Sequence, residues 1–113
     1  MLGTRELFPG TLDMLILKAL SLGEAHGYGV LLRIEATSKG LLTLEQGSLY
    51  PALNRLEDRG VIVSEWGRSE KNRRAKFYRL TESGHQRLEG EKQRWSEMVE
   101  AVFNVLDAQP SEG

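Results

Sequence analysis

The chain predicts a mainly α fold with a small β hairpin, arranged as a winged helix-turn-helix plus a long C-terminal dimerisation helix. Three observations carry that expectation. Residues 48–84, SLYPALNRLEDRGVIVSEWGRSEKNRRAKFYRLTESG, pass from a short amphipathic segment through a glycine stop into two β-type runs and a new helix start. The loop between those runs is dense in Arg and Lys. The apolar stripe beyond residue 81 continues farther than a small domain can cover. Helix, strand, basic hairpin, strand, helix is the order that sets one helix in the major groove of DNA and a charged wing beside it.

The first helix is expected from Pro9-Gly10-Thr11 to about Leu22, because Leu12, Leu15, Ile16, Ala19 and Leu20 recur at helical spacing and Asp13 suits the first turn. A second spans about Tyr28 to Ser38, with Val30, Leu31 and Ile34 inward and Gly40 as its stop. Gly27-Tyr28-Gly29 has the form of a phosphate loop, but no strand is expected before it, so it reads as a close helix entry. In the third helix Leu49, Leu53 and Leu56 make the core stripe while Pro51, Asn54 and Asp58 point away. An interior proline costs about 3 kcal/mol, which favours Ser48 as the N-cap with Pro51 in the first turn. Thr43 with Gln46 forms a capping-box pattern that allows an earlier start.

Val61–Trp66 and Lys76–Leu80 read as paired strands, with Ile62, Trp66, Tyr78 and Leu80 on the inward alternation and a polar loop over residues 67–75. Trp66 is expected in the core. The fourth helix runs from Thr81 to about Leu106, roughly 38 Å. Its stripe of Leu88, Trp95, Met98, Val99, Val102, Phe103 and Leu106 calls for a partner, most simply the same helix of a second copy. The expected organisation is residues 1–80 as the DNA-binding unit, 81–108 as the dimerisation helix of the same compact body, and 109–113 as a frayed tail.

Composition agrees with one domain. The 113 residues are 40% hydrophobic and 27% charged, and contain no cysteine, which excludes disulfides, thiolate zinc sites and cysteine nucleophiles. His26 and His85 lie too far apart in sequence for a metal motif and read as cap or surface residues. No run approaches the ~20 apolar residues of a membrane span, and no signal-peptide pattern opens the chain, so a cytoplasmic location is expected. No metal, cofactor or convergent catalytic set is expected, and the chain does not read as an enzyme.

Net charge is −1, yet the distribution is uneven: residues 55–80 carry eight Lys/Arg against four Asp/Glu, and residues 81–113 carry three against seven. Screening confines each patch to roughly 8–10 Å, so this local basic region governs contact with phosphate. Arg68, Lys71, Arg73, Arg74 and Lys76 are the wing candidates. Ser48, Tyr50, Asn54 and Arg55 are the third-helix candidates, with Asn suited to adenine and Arg to guanine, or either to phosphate alone. Trp95 suits plain packing between helices or the stacking of a flat hydrophobic effector, with Phe8 and Val99 beside it.

Several segments together resemble the PadR family of bacterial transcriptional regulators: PGTLDMLILKAL, HGYGVLLRI, GSLYPALNRLEDRGVI, the wing, and KFYRLTESG. The match covers roughly residues 9–106, and the single C-terminal helix resembles the compact subgroup that dimerises through it. The resemblance implies a homodimer on a palindromic operator in double-stranded DNA, usually acting as a repressor. It places Ser48, Tyr50, Asn54 and Arg55 at the groove and Arg73, Arg74 and Lys76 on the wing, and matches Trp95 to an aromatic that some compact members use to stack planar hydrophobic effectors.

Overall fold

The structure, a computed structural model, describes residues 2–112. In chain order it contains β1 (Leu2–Gly3), a 3-10 turn (Thr4–Glu6), α1 (Thr11–Ser21), β2 (Ala25–His26), α2 (Gly27–Thr37), β3 (Leu42–Thr43), α3 (Gln46–Asp58), β4 (Ile62–Arg68), β5 (Arg74–Leu80), α4 (Glu82–Leu106) and a last 3-10 turn (Pro110–Glu112). The mainly helical class and all four expected helices are present. Residues 110–112 of the expected tail form that last 3-10 turn, and Gly113 lies outside the described residues.

α1 is the hub. It packs against α2, α3, α4 and β5. Ile16, Leu17, Ala19 and Leu20 are buried, and Leu12, Met14 and Leu15 pack on the core edge, so apolar groups surround much of the helix. Arg33 of α2 donates to the carbonyls of Ala19 and Gly23, at 2.7 Å each, and so closes the C-terminal end of α1 with a cation. Glu35 accepts from the Leu44 amide at 3.0 Å, tying the α2–α3 connection back onto α2. Lys39 and Gly40 both adopt the left-handed conformation that ends α2 and turns the chain.

α3 begins earlier than the proline argument favoured. Gln46 is its first residue and Glu45 its N-cap, without a side-chain cap, so Pro51 lies inside the helix and neither Ser48 nor Thr43 is the N-cap. The carbonyl deprived of a donor by Pro51 is that of Gly47, an exposed residue, so water can take the place of the missing bond. Leu49, Ala52, Leu53 and Leu56 are all buried, as the stripe required. The Gly60 amide donates to Glu57 at 2.9 Å and that of Val61 to Leu56 at 3.2 Å, with Gly60 at φ +75°: a Schellman ending that only glycine adopts without strain.

The sheet has one strand more than expected. β5 pairs antiparallel with β4 on one side and with β2 on the other. A strand therefore does precede Gly27-Tyr28-Gly29, contrary to expectation; two residues are too few to show an alternation in sequence. A second small sheet pairs β1 with β3 in parallel. Both strands of the hairpin extend to Arg68 and Arg74, so the loop is residues 69–73, not 67–75.

α4 starts where Thr81 clasps the preceding turn. Its hydroxyl donates to the Gly60 carbonyl at 2.7 Å and accepts from the Gly84 amide at 3.1 Å. Gly84 lies against the Val61 carbonyl, where a Cβ would overlap backbone. Leu88, only 7% exposed, belongs to the protomer's own core. The sequence places it at the dimer interface, whereas its side chain lies in the core cluster with the buried residues of α1. Beyond it the helix leaves the domain. Arg87 and Arg94 flank Glu91 there at 2.9 and 3.0 Å, and the hydrogen bond from Arg87 is the main cause holding the Glu91 carboxyl below the usual carboxylate range. The overhang makes the molecule 63 Å long with a radius of gyration of 16.5 Å, against about 13 Å for a compact chain of this length.

Gly84→Ala is expected to destabilise the fold by about 1–3 kcal/mol, because backbone at Val61 must move to admit the methyl. Chemical denaturation measures it, and an unchanged midpoint would mean that α4 is not seated this closely.

Candidate nucleic-acid interface

An open groove of about 960 Å³ lies between the hairpin and the first turns of α2 and α3. His26, Gly27, Tyr28 and Leu32 form one wall, Gln46 and Tyr50 of α3 the second, and Trp66, Tyr78 and residues 69–71 and 73–76 the third. The ladder explains the third wall. Ile62 pairs with Leu80, Ser64 with Tyr78, Trp66 with Lys76 and Arg68 with Arg74, so all eight side chains share one face of the hairpin. Near the helices this face is apolar and buried; farther out the same face carries cations.

Trp66 is on that outer part and is 57% exposed, not in the core as expected. The alternation was read correctly, but the hairpin outruns the helices, so the face that is interior at Ile62 is open at Trp66. The Arg74 guanidinium lies 4.2 Å from its ring centroid and the Lys76 ammonium 5.6 Å. The turn is held by the Asn72 amide donating to Ser69 at 2.8 Å, the Ser69 amide to Arg73 at 2.9 Å, and the Arg73 amide to the Ser69 hydroxyl at 3.2 Å. Asn72 takes a left-handed conformation within this turn.

His26 caps α2 by accepting the Gly29 amide at Nδ1, 3.1 Å away, and stacks edge-on against Phe77. It is thus a cap residue. Gly27 admits the ring of Tyr50: a Cβ there would lie 2.6 Å from Cε1. Tyr78 lies deeper, and burial first, then Glu57 and Tyr50, push its hydroxyl above the usual tyrosine range. Glu57 accepts from the Ser64 hydroxyl at 2.5 Å.

The groove brings together Tyr50, Lys71, Arg73, Arg74 and Lys76 of the expected contacts. Arg68 sits beside the turn, donating to the Asn72 carbonyl at 3.3 Å. Ser48 is half-buried and Asn54 exposed, both outside the groove wall. Arg55 is bound to Asp13 of α1 at 2.7 Å, with Arg59 3.8 Å from the same carboxylate. A half-exposed pair of this kind contributes about 0–1 kcal/mol, so Arg55 is tethered loosely and not locked. His26, Tyr28, Gln46 and Trp66 are groove residues that sequence reasoning missed. The sequence signal for Trp66 is an aromatic on β4 opposite the basic strand β5; Gln46 shows only as part of the capping pattern with Thr43.

On α4, Trp95, Met98, Val99, Val102, Phe103 and Leu106 are all exposed on the single chain. Phe8, 68% exposed, meets Trp95 with ring centroids 6.0 Å apart and planes tilted by 45°. No helix among the described residues is long and apolar enough to cross a membrane.

A three-helix body with a cationic β-wing beside an exposed helix face is a winged helix-turn-helix, a class of DNA-binding domain. The chain belongs to the PadR family of transcriptional regulators: residues 16–90 match the transcriptional regulator PadR-like family. Members are DNA-binding regulators, not enzymes. The transcriptional regulator YqjI of Escherichia coli is 35% identical over 100 residues, which span 87% of this chain and 46% of that protein, about half its length. A transcriptional regulator from Clostridium thermocellum is 32% identical with a TM-score of 0.73, over 84% of this chain and 88% of its own. A PadR family regulator from Eggerthella lenta is 30% identical with a TM-score of 0.75, over 88% and 85%.

Gly27→Ala is expected to cost about 1–3 kcal/mol by displacing the Tyr50 ring. In a Tyr50→Ala background the same change should stabilise by about 0.4–1 kcal/mol, since alanine loses less chain entropy on folding. Denaturation midpoints of the four proteins decide; a Gly27 effect independent of Tyr50 would refute the contact.

Proposed function

We propose that the protein is a cytoplasmic repressor that binds a palindromic operator as a homodimer and is released by a planar hydrophobic effector. The observation that carries the reading is the groove, in which wing cations and the first turns of α2 and α3 face a common space. Lys71, Arg73, Arg74 and Lys76, with Arg68 beside the turn, supply phosphate contacts that position the domain. Gln46, Ser48, Tyr50 and Asn54 offer groups for base edges or backbone, and Arg55 joins them by exchanging Asp13 for DNA.

Dimerisation is supported by the exposed apolar stripe from Trp95 to Leu106 on a helix that overhangs its own domain. Burying each such side chain is worth about 1.5–3 kcal/mol, and a second copy of the same stripe matches it in length and spacing. Two copies would set two recognition helices at half-sites about 34–36 Å apart. A flat ligand entering beside Trp95, Phe8 and Val99 would alter that spacing, which makes DNA release and ligand binding reciprocal.

Selection of bound sequences from random duplexes tests the reading and returns the operator. Recovery of an inverted repeat is expected; no enrichment, with binding to an acidic protein instead, would make the wing a protein-interaction module. Replacing both Arg73 and Arg74 by alanine should weaken binding to every sequence and flatten the salt dependence by about 0.9 per lost phosphate contact. An unchanged salt slope would remove the wing from the interface. Truncation after Glu91 should give a monomer or an insoluble product in sedimentation, and a folded truncated dimer would contradict dimerisation through α4.

A further inference from the structure

We infer that Trp66 is a positioning residue for DNA binding: its indole gathers Arg74 and Lys76 and holds both cations toward the groove before DNA arrives. The inference rests on the phosphate role of the wing proposed above. Trp66 lies directly across the ladder from Lys76 and diagonally from Arg74, and the ladder sends all three to one face. The guanidinium carbon is 4.2 Å and the ammonium 5.6 Å from the ring centroid, within the ~6 Å at which a ring quadrupole attracts a cation.

Nothing else on this face would keep the two side chains there. Among the described residues neither Arg74 nor Lys76 forms an ion pair, while Arg68 pairs across from Arg74 and adds a third positive charge. Left alone, three cations on one strand face repel one another and sample many rotamers. Long basic side chains lose that freedom when they grip phosphate. An aromatic plate shared by two of them removes part of the loss in advance. It also explains why a tryptophan stands 57% exposed on a wing.

The test uses the full-length protein and a labelled duplex of arbitrary sequence at low salt, with affinities read by fluorescence anisotropy for wild type, Trp66→Ala, Arg74→Ala, the double variant and Trp66→Tyr. Trp66→Ala keeps every charge, yet should weaken binding about three- to tenfold. Arg74→Ala should then matter less in the Trp66→Ala background than in wild type, and Trp66→Tyr should recover most of the affinity. Wild-type affinity in Trp66→Ala, or two effects that simply multiply, overturns the inference; the second result would mean that Trp66 acts independently of Arg74. An Arg74→Ala variant that binds as wild type does would instead overturn the wing reading beneath it. If Trp66→Ala fails to fold, the DNA-free wild type still decides by NMR. Arg74 side-chain protons over the indole should be shifted upfield relative to those of Arg73, and the absence of that shift overturns the inference.

Discussion

The burial of α1 is the constraint on which the other elements depend. It touches α2, α3, α4 and β5, so α3, the wing and the overhanging helix all take their positions from one short segment. Its inward side chains, Ile16, Leu17 and Leu20, are almost fully removed from water, and each such burial is worth about 1.5–3 kcal/mol. Arg33 seals its C-terminal end, and Asp13 in its first turn reaches Arg55 on α3 and Arg59 at its C-cap. Hydrophobic packing sets the distances, while these polar ties orient the neighbouring helices around it.

The hairpin converts that rigid core into a surface with reach. One face of β4 and β5 begins among buried side chains and ends among cations, with the change at Ser64 and Tyr78. No separate device is needed to aim the wing, because the buried half of each strand fixes the direction of the exposed half. Tyr50 seated on Gly27 joins the start of α2 to α3 at the floor of the same groove. A Cβ at Gly27 would meet the Tyr50 ring, which agrees with the close helix entry read from the sequence.

α4 divides into two halves with different solvents. Up to Leu88 it belongs to the domain, held by the Thr81 clasp and by Gly84 against Val61. After Glu91 it projects, carrying an apolar stripe that the single chain leaves in water except where Phe8 meets Trp95. A domain of this size has no surplus core to offer such a stripe. That mismatch between helix length and domain size is what supports the proposed pairing with a second copy.

Periodicity determined that the helices exist, because each carries its own 3.6-residue stripe and a boundary signal: the Gly60 stop after Leu49, Leu53 and Leu56, or the Thr81 start of the long final helix. The charge concentration in residues 55–80 and the period-2 alternation of the hairpin were equally local, hence legible. Tertiary structure decided what depends on how far one element extends past another. Trp66 and Leu88 both sit on the inward face of their element, yet one is open and the other buried, because the hairpin outruns the helices while Leu88 still reaches the core cluster. The two-residue strand at Ala25, the start of α3 ahead of Pro51, the Tyr50–Gly27 contact and the tether from Arg55 to Asp13 were likewise decided there. The physical reason is common to them: periodicity records which way a side chain points, whereas burial and pairing depend on what the rest of the chain brings opposite it.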